Sequence, residues 1–281
     1  MPATSTAELL SAAVAQRRAV GAFNVITLES AEAIVAGAEA AGRPVILQLS
    51  ENAVRFRSGN LRPVAAAMNE LAASAAVPVS LHLDHVEDEE LLTRSTGAGF
   101  SSVMYDGGRL PYAENVVATT RAAGWAHDHG LSIEAELGYV GGKETQVTSA
   151  HTAGVRTDPE QAADFVAATG VDALAVAVGS THAMTSRTAA IDVELVARLR
   201  TAVPVPLVLH GSSGVPDAEL AHAVAAGIVK VNVGTLLNVA YTGAVRSFLD
   251  ADPDVTDPRK YLRPARERMT AAVADLLAVI G

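Results

Sequence analysis

The chain contains no cysteine. Disulfides, thiolate metal sites and a cysteine nucleophile are therefore excluded together, and any metal must rest on His, Asp and Glu. Aromatic residues make up only 4%, too few for the stacking platforms of single-stranded nucleic-acid binders or for a large protein-recognition surface. Positive charge is also scarce, with 21 Lys and Arg against 31 Asp and Glu and a formal net charge of -10. Such a surface repels a phosphate backbone, so nucleic acid is not an expected partner. A small phosphorylated molecule remains compatible, because a few backbone amides and one arginine can supply the local field. No apolar run approaches the ~18 residues of a membrane span. The first eighteen residues also lack the basic start and apolar core of a secretory leader. A soluble, cytoplasmic protein with no membrane partner is expected. What the chain does have is apolar bulk: 49% of 281 residues, enough for a sizeable core and incompatible with intrinsic disorder.

Eight short runs rich in Val, Ile and Leu cover residues 20–25, 44–50, 77–84, 101–106, 132–138, 173–180, 206–210 and 228–234. They are nearly continuous rather than alternating, the habit of parallel strands covered on both faces. Ala-rich segments of helical period lie between them, at 30–41, 62–75, 112–129, 159–169, 193–201 and 217–226. Strand then helix, eight times, closes a (β/α)8 TIM barrel of the α/β class. A leading helix over 5–17, opened by a Ser5-x-x-Glu8 capping box, is expected to cover the barrel floor. A helix pair at 235–250 and 264–280 forms a C-terminal extension. No linker or second core is visible, so residues 1–281 read as a single domain. The connections 138–157 and 179–190 are long and leave the C-terminal ends of strands, where barrels carry their binding loops.

The polar residues at those strand ends are Asn24, Ser50, Asp84, His85, Asp106, Glu136, His182, His210 and Asn232. Three histidines converging on one mouth, with an open fourth position, form a catalytic zinc arrangement. Asp84 beside His85 is either a partner of the ligand or a general acid/base. Asp106 and Glu136 read equally as partners of ligands, as an alternative metal position or as salt-bridge formers. His82, inside the third run, reads as core or as a partner behind the ligands, and His127, His129 and His222 as ordinary helix residues; His151 lies in the first long loop. The Gly211-Ser212-Ser213-Gly214 turn precedes a helix near Pro216, and Asn232 leads into Gly234-Thr235. Small residues there let backbone N–H groups close on a phosphate.

The motifs Gly21-Ala22-Phe23-Asn24, Leu81-His82-Leu83-Asp84-His85, Ser102-Val103-Met104, Glu134-Ala135-Glu136-Leu137-Gly138 with Gly141-Gly142, Gly179-Ser180-Thr181-His182, residues 207–214, Lys230-Val231-Asn232 and Asp257-Pro258-Arg259 run in one order along the chain. Together they resemble the class II, metal-dependent ketose-bisphosphate aldolases of fructose- and tagatose-bisphosphate type. The resemblance implies zinc-dependent, reversible cleavage of a ketose 1,6-bisphosphate to dihydroxyacetone phosphate and glyceraldehyde 3-phosphate. It implies one zinc ion per subunit on His85, His182 and His210, a second or resting metal position at Asp106 and Glu136, and room for a monovalent cation. It gives Asp84 the proton of the C4 hydroxyl and Glu144 the proton of the carbanion equivalent. Asn24, Ser50, Gly211, Ser213, Asn232 and Thr235 become substrate or phosphate contacts. Arg259 becomes an arginine reaching a neighbouring subunit, hence a homodimer or homotetramer. Lys230 matches a family lysine without a covalent role. Relatives of the same mechanism act on other phosphorylated ketoses or deoxy-sugar acids, and a non-catalytic sugar-phosphate-binding subunit would lack a ligand or the acid/base. A Schiff-base aldolase needs a desolvated lysine in the mouth, and only Lys143, Lys230 and Lys260 exist. The sequence departs from the fructose-type pattern at Gly234 and Leu236, where carboxylates are usual, at Ala183, where glycine is usual, and at Lys143.

Overall fold

The computed structural model describes residues 4–138 and 156–281. Eight parallel strands close on themselves in chain order: β1 (Val20–Asn24), β2 (Val45–Ser50), β3 (Val79–Val86), β4 (Ser102–Tyr105), β5 (Ser132–Leu137), β6 (Ala173–Val176), β7 (Leu207–Leu209) and β8 (Ile228–Val233). β8 returns to pair with β1, with Val20 opposite Lys230 and Ala22 opposite Asn232. The expected barrel is thus formed. Helix α1 (Thr6–Gln16) starts with the Ser5/Glu8 capping box, Ser5 Oγ accepting from Glu8 N and Glu8 accepting from Ser5 N at 3.0 Å. Its Leu9, Leu10 and Ala13 pack on Val20, Ala22, Ile46, Ala173, Ala175 and Val208, sealing the floor. Among the described residues no helix is long and apolar enough to cross a membrane.

The outer ring consists of α2 (Leu28–Ala41), α3 (Glu51–Phe56), α4 (Arg62–Ser74), α5 (Glu89–Thr93), α6 (Tyr112–Asp128), α7 (Pro159–Thr169), α8 (Val193–Ala202), α9 (Asp217–Ala226), α10 (Thr235–Ala251) and α11 (Pro258–Ile280). The short α3 and α5 have no counterpart in the sequence reading, being too brief to show a helical period. α11 begins at Pro258 rather than at the expected 264. Asp257 caps it by accepting from Arg259 N at 3.0 Å. Pro258 fits the first turn, where no N–H is needed, and the helix runs on through Pro264 at the loss of one intrahelical bond. β6 ends at Val176, four residues short of the reading. β7 is only three residues long and meets β6 only at Leu174 and Ala175, so the β6 chain beyond leaves the ladder. Ala177 bonds instead to Thr157, its N–H donating to Thr157 Oγ1 at 2.8 Å and its carbonyl accepting from Thr157 N at 3.1 Å.

α11 closes the ring against α2, and Gly37 sits at their closest approach. A Cβ there would lie 2.6 Å from Val273 Cβ and 2.7 Å from the Thr270 carbonyl oxygen. Gly37→Ala gains up to ~1 kcal/mol of helix propensity but overpacks the crossing, which costs about 1–3 kcal/mol. Urea unfolding should therefore show a net loss of stability. A more stable Gly37→Ala protein would contradict this packing.

Candidate active site

Side chains of a strand alternate between faces, so Asp84 and His85, adjacent on β3, should point opposite ways. Both line the same cleft. The β3–β4 register shifts between Leu83 and Val86, and His85 has φ +49°, a left-handed conformation rarely adopted by a non-glycine residue. This bulge turns the second side chain inward. Ala183, after His182, is likewise left-handed at φ +60°, which gives a steric reason for the glycine usual there.

His85, His182 and His210 come together, with ring centroids 4.7–5.7 Å apart and candidate ligand atoms all within 4.8 Å of one another. His85 and His210 leave β3 and β7 as expected. His182 sits beyond β6 on the following loop rather than on the strand. Two of the rings are fixed from behind. Asp106 Oδ2 accepts from His85 Nδ1 at 2.8 Å. Glu134 Oε1 accepts from His210 Nε2 at 2.9 Å. Asn232 Nδ2 also lies 3.0 Å from His210 Nε2, and His85 Nε2 and His210 Nδ1 face one another at 3.1 Å; with the carboxylate-facing nitrogens protonated, these two would both present lone pairs. Lone pairs so placed suit a cation between them. Ligands about 2.0–2.1 Å from a tetrahedral zinc are themselves separated by roughly 3.3 Å, so the donor set fits a divalent cation. Glu136 Oε2 is 3.6 Å from His210 Nδ1, and both Asp106 and Glu136 adjoin the triad.

Asp84 is 1% exposed. Its Oδ2 accepts from Gln48 Nε2 at 2.9 Å, and Gln48 also donates to Asn24 Oδ1 at 2.7 Å. Oδ1 accepts no hydrogen bond among the described residues and lies 3.6 Å from His82 Nε2. Burial raises the Asp84 pKa, but His85, His210 and Lys230 outweigh it and hold the carboxyl well below the usual carboxylate range. It is a carboxylate with accepting capacity to spare.

The remaining wall suits an anion. Gly211 (φ +66°) brings the β7 loop so near the Thr181 backbone that a Cβ would sit 2.7 Å from its carbonyl carbon. α10 has no side-chain cap at Gly234, and Ser213 Oγ accepts from Leu236 N at 3.0 Å, so loop and helix start are tied together. Asn24, Ser50, Gly211, Ser213, Asn232 and Thr235 all line the cleft, as do Arg55 and Arg109. Ser50 Oγ also caps α3 through Ala53 N. The cavity is about 560 Å³. Arg259 lies elsewhere: its side chain is 86% exposed and paired with Asp257 at 2.8 Å. Glu144, Lys143 and His151 fall outside the described residues.

Sequence reasoning missed Gln48 and Glu134, left His82 between core and a partner behind the ligands, and gave Lys230 no part in the site. Each stands two residues before a mouth residue (Ser50, Glu136, Asp84 and Asn232). The strand period of two therefore puts it on the same inner face one layer deeper, a signal present in the sequence.

Residues 4–281 match the family model described as fructose-bisphosphate aldolase class-II. The chain belongs to the class II fructose-bisphosphate aldolase family. It is 39% identical to a probable fructose-bisphosphate aldolase of Bacillus subtilis (strain 168), over 100% of this chain and 98% of that protein. Identity to the fructose-bisphosphate aldolase of Geobacillus stearothermophilus is 38% with the same coverage. Among solved structures, the YdjI aldolase of Escherichia coli K12 superposes with a TM-score of 0.84 at 31% identity, covering 99% of this chain and 97% of that one. The protein is thus an aldolase, a carbon–carbon lyase of a metal-dependent family, and its three imidazoles are a group that could hold such a metal.

Beneath the metal ligands lies a buried ion pair, Lys230 Nζ donating to Glu134 Oε2 at 2.7 Å. Burial raises the Glu134 pKa, but Lys230, the His210 hydrogen bond and His82 overcome it and set it at about 2, against an ordinary 4.5. A folded-state value below the unfolded one stabilises fully above about pH 4.5, and the contribution fades as pH falls through about 2. It amounts to roughly 3 kcal/mol. Urea unfolding from pH 6 to 2.5 should show this loss. Glu134→Gln, which strands Lys230, should already be about 3–5 kcal/mol less stable at pH 6 and should fall less steeply with acid. Parallel curves would contradict the assignment.

Proposed function

We propose that the protein catalyses the reversible aldol cleavage of a ketose 1,6-bisphosphate, fructose or tagatose in type, to dihydroxyacetone phosphate and glyceraldehyde 3-phosphate. The observation carrying this is the convergence of three imidazoles beside a buried carboxylate, at the base of a cleft that also takes in the start of α10. His85, His182 and His210 would hold zinc, with Asp106 and Glu136 as its second or resting position. When bound, that ion supplies a Lewis acid for the substrate's carbonyl and hydroxyl oxygens.

The residues of the chain do the rest. As the C3–C4 bond breaks, its electron pair stays with C3 and is delocalised toward the C2 oxygen, while the C4 hydroxyl becomes an aldehyde and gives up its proton. Asp84, ionised and with Oδ1 free to accept, takes that proton. Gln48 holds the other oxygen of the carboxylate in place. Glu144 returns a proton to C3 so that dihydroxyacetone phosphate can leave. Gly211, Ser213 and the start of α10 at Thr235 bind a phosphate through backbone N–H groups, and Asn24, Ser50 and Asn232 orient the sugar. Arg55 or Arg109 adds the positive charge that an acidic chain must concentrate locally. Arg259, solvent-directed and off its own cleft, serves the neighbouring site of a cytoplasmic homodimer or homotetramer.

Chelation should abolish activity with the barrel intact, and zinc should restore it. Full turnover in chelator with no bound metal would overturn the proposal. Asp84→Asn should lower cleavage by about 10²-fold or more, while proton exchange at the dihydroxyacetone phosphate carbon survives better because Glu144 performs it. Equal loss of both reactions would refute this division.

Gly234 bears on the choice of sugar. A Cβ there would lie 2.8 Å from Asn24 Nδ2, so the Asn24 amide fills the space where a side chain would begin. Without a carboxylate at this position, discrimination between C4 epimers should be weak, below about 10³-fold in kcat/KM, or about 4 kcal/mol. Gly234→Asp should displace Asn24 and raise the preference for fructose 1,6-bisphosphate. An unchanged epimer ratio would remove Gly234 from the argument.

A further inference from the structure

Lys230 is fully buried, with no accessible surface, and the proposed chemistry does not use it. Its ammonium donates to Glu134 Oε2 at 2.7 Å and lies 3.4 Å from His82 Nε2. The opposite Glu134 oxygen holds His210 Nε2 at 2.9 Å. On the other side the donors run in one direction. Ser102 Oγ donates to Thr6 Oγ1 at 2.7 Å, and Thr6 Oγ1 donates to Ser80 Oγ at 3.1 Å. Having spent its proton, Ser102 Oγ must accept from His82 Nδ1, 2.7 Å away. His82 is then neutral with its lone pair on Nε2, aimed at Lys230. Burial, followed by the charge of Lys230, lowers the His82 pKa and agrees with a neutral ring.

We infer that Lys230 is a positioning residue for the metal site, anchored through His82 and Ser102 to the floor helix α1 and acting through Glu134 to present His210 Nδ1 to the cation. Without Lys230 the Glu134 carboxylate would lose the partner that holds its second oxygen and be free to rotate, and rotation removes the acceptor that orients His210. Outer partners of this kind govern both ligand orientation and ligand basicity. The ammonium also stands where a second cation would otherwise be drawn, since His82, Asp84 and Glu134 offer ligand atoms within 4.8 Å of one another. The inference rests on the proposed metal role of His85, His182 and His210.

The test is Co²⁺ titration of the chelated full-length protein, read by the visible d–d spectrum and by affinity, for the parent and for Lys230→Met. The expected result is Co²⁺ binding weakened by about 10–100-fold with an altered spectrum. If Lys230→Met does not fold, Lys230→Met/Glu134→Gln, which leaves no unpaired buried charge, carries the test with the same expectation. A merely structural role would lower the thermal midpoint while leaving affinity and spectrum at parental values, and that result overturns the inference. Failure of the parent itself to bind Co²⁺ would instead overturn the metal reading on which it rests.

Discussion

A β-strand cannot present two consecutive side chains to one face without leaving regular geometry, and this site needs it to. The proposed metal ligand His85 and the proposed proton acceptor Asp84 are neighbours in sequence. The left-handed turn at His85 and the register shift beside it are the local cost of placing both in one cleft. Backbone strain of this kind costs about 1–3 kcal/mol and persists only where the surroundings over-determine it. Here they do: Asp106 grips the ring of His85, and Gln48 grips Asp84. Loss of the bulge would turn one of the two groups out of the cleft.

The second constraint is a polar interior. TIM barrels usually fill their centre with branched apolar side chains, and the floor of this one does so under α1. One layer higher, His82, Ser102, Glu134 and Lys230 replace them. Burying such groups is tolerable only if every donor and acceptor is matched. The matching is directional, from Lys230 outward to the metal ligands on one side and to the floor helix on the other. The gain is orientation rather than stability, since a buried ion pair is seldom more stabilising than an apolar replacement.

The architecture was legible in the sequence because parallel strands buried on both faces leave continuous apolar runs, which fixed all eight strand positions closely. His85 and His210 were legible because the absence of cysteine leaves few donors and both stand at strand ends. His182 was found as a residue but misplaced in the fold, because strand length depends on a partner, and β7 was too short to hold the end of β6. Gln48, Glu134 and Lys230 are hard to read for a related reason: inside an apolar run a single polar residue looks like noise until the layer above it is identified. The start of α11 was misjudged because Pro264 looks like a helix start, whereas the Asp257 cap and Pro258 outrank it.

The proposed function rests on a cation that His85, His182 and His210 would hold, His85 through Nε2 and His210 through Nδ1. X-ray absorption at the metal edge of the zinc-loaded protein tests this most directly. The account expects three imidazole nitrogens at about 2.0–2.1 Å, falling to two in His210→Ala. A shell of oxygen ligands alone, or a spectrum unchanged by His210→Ala, would contradict it.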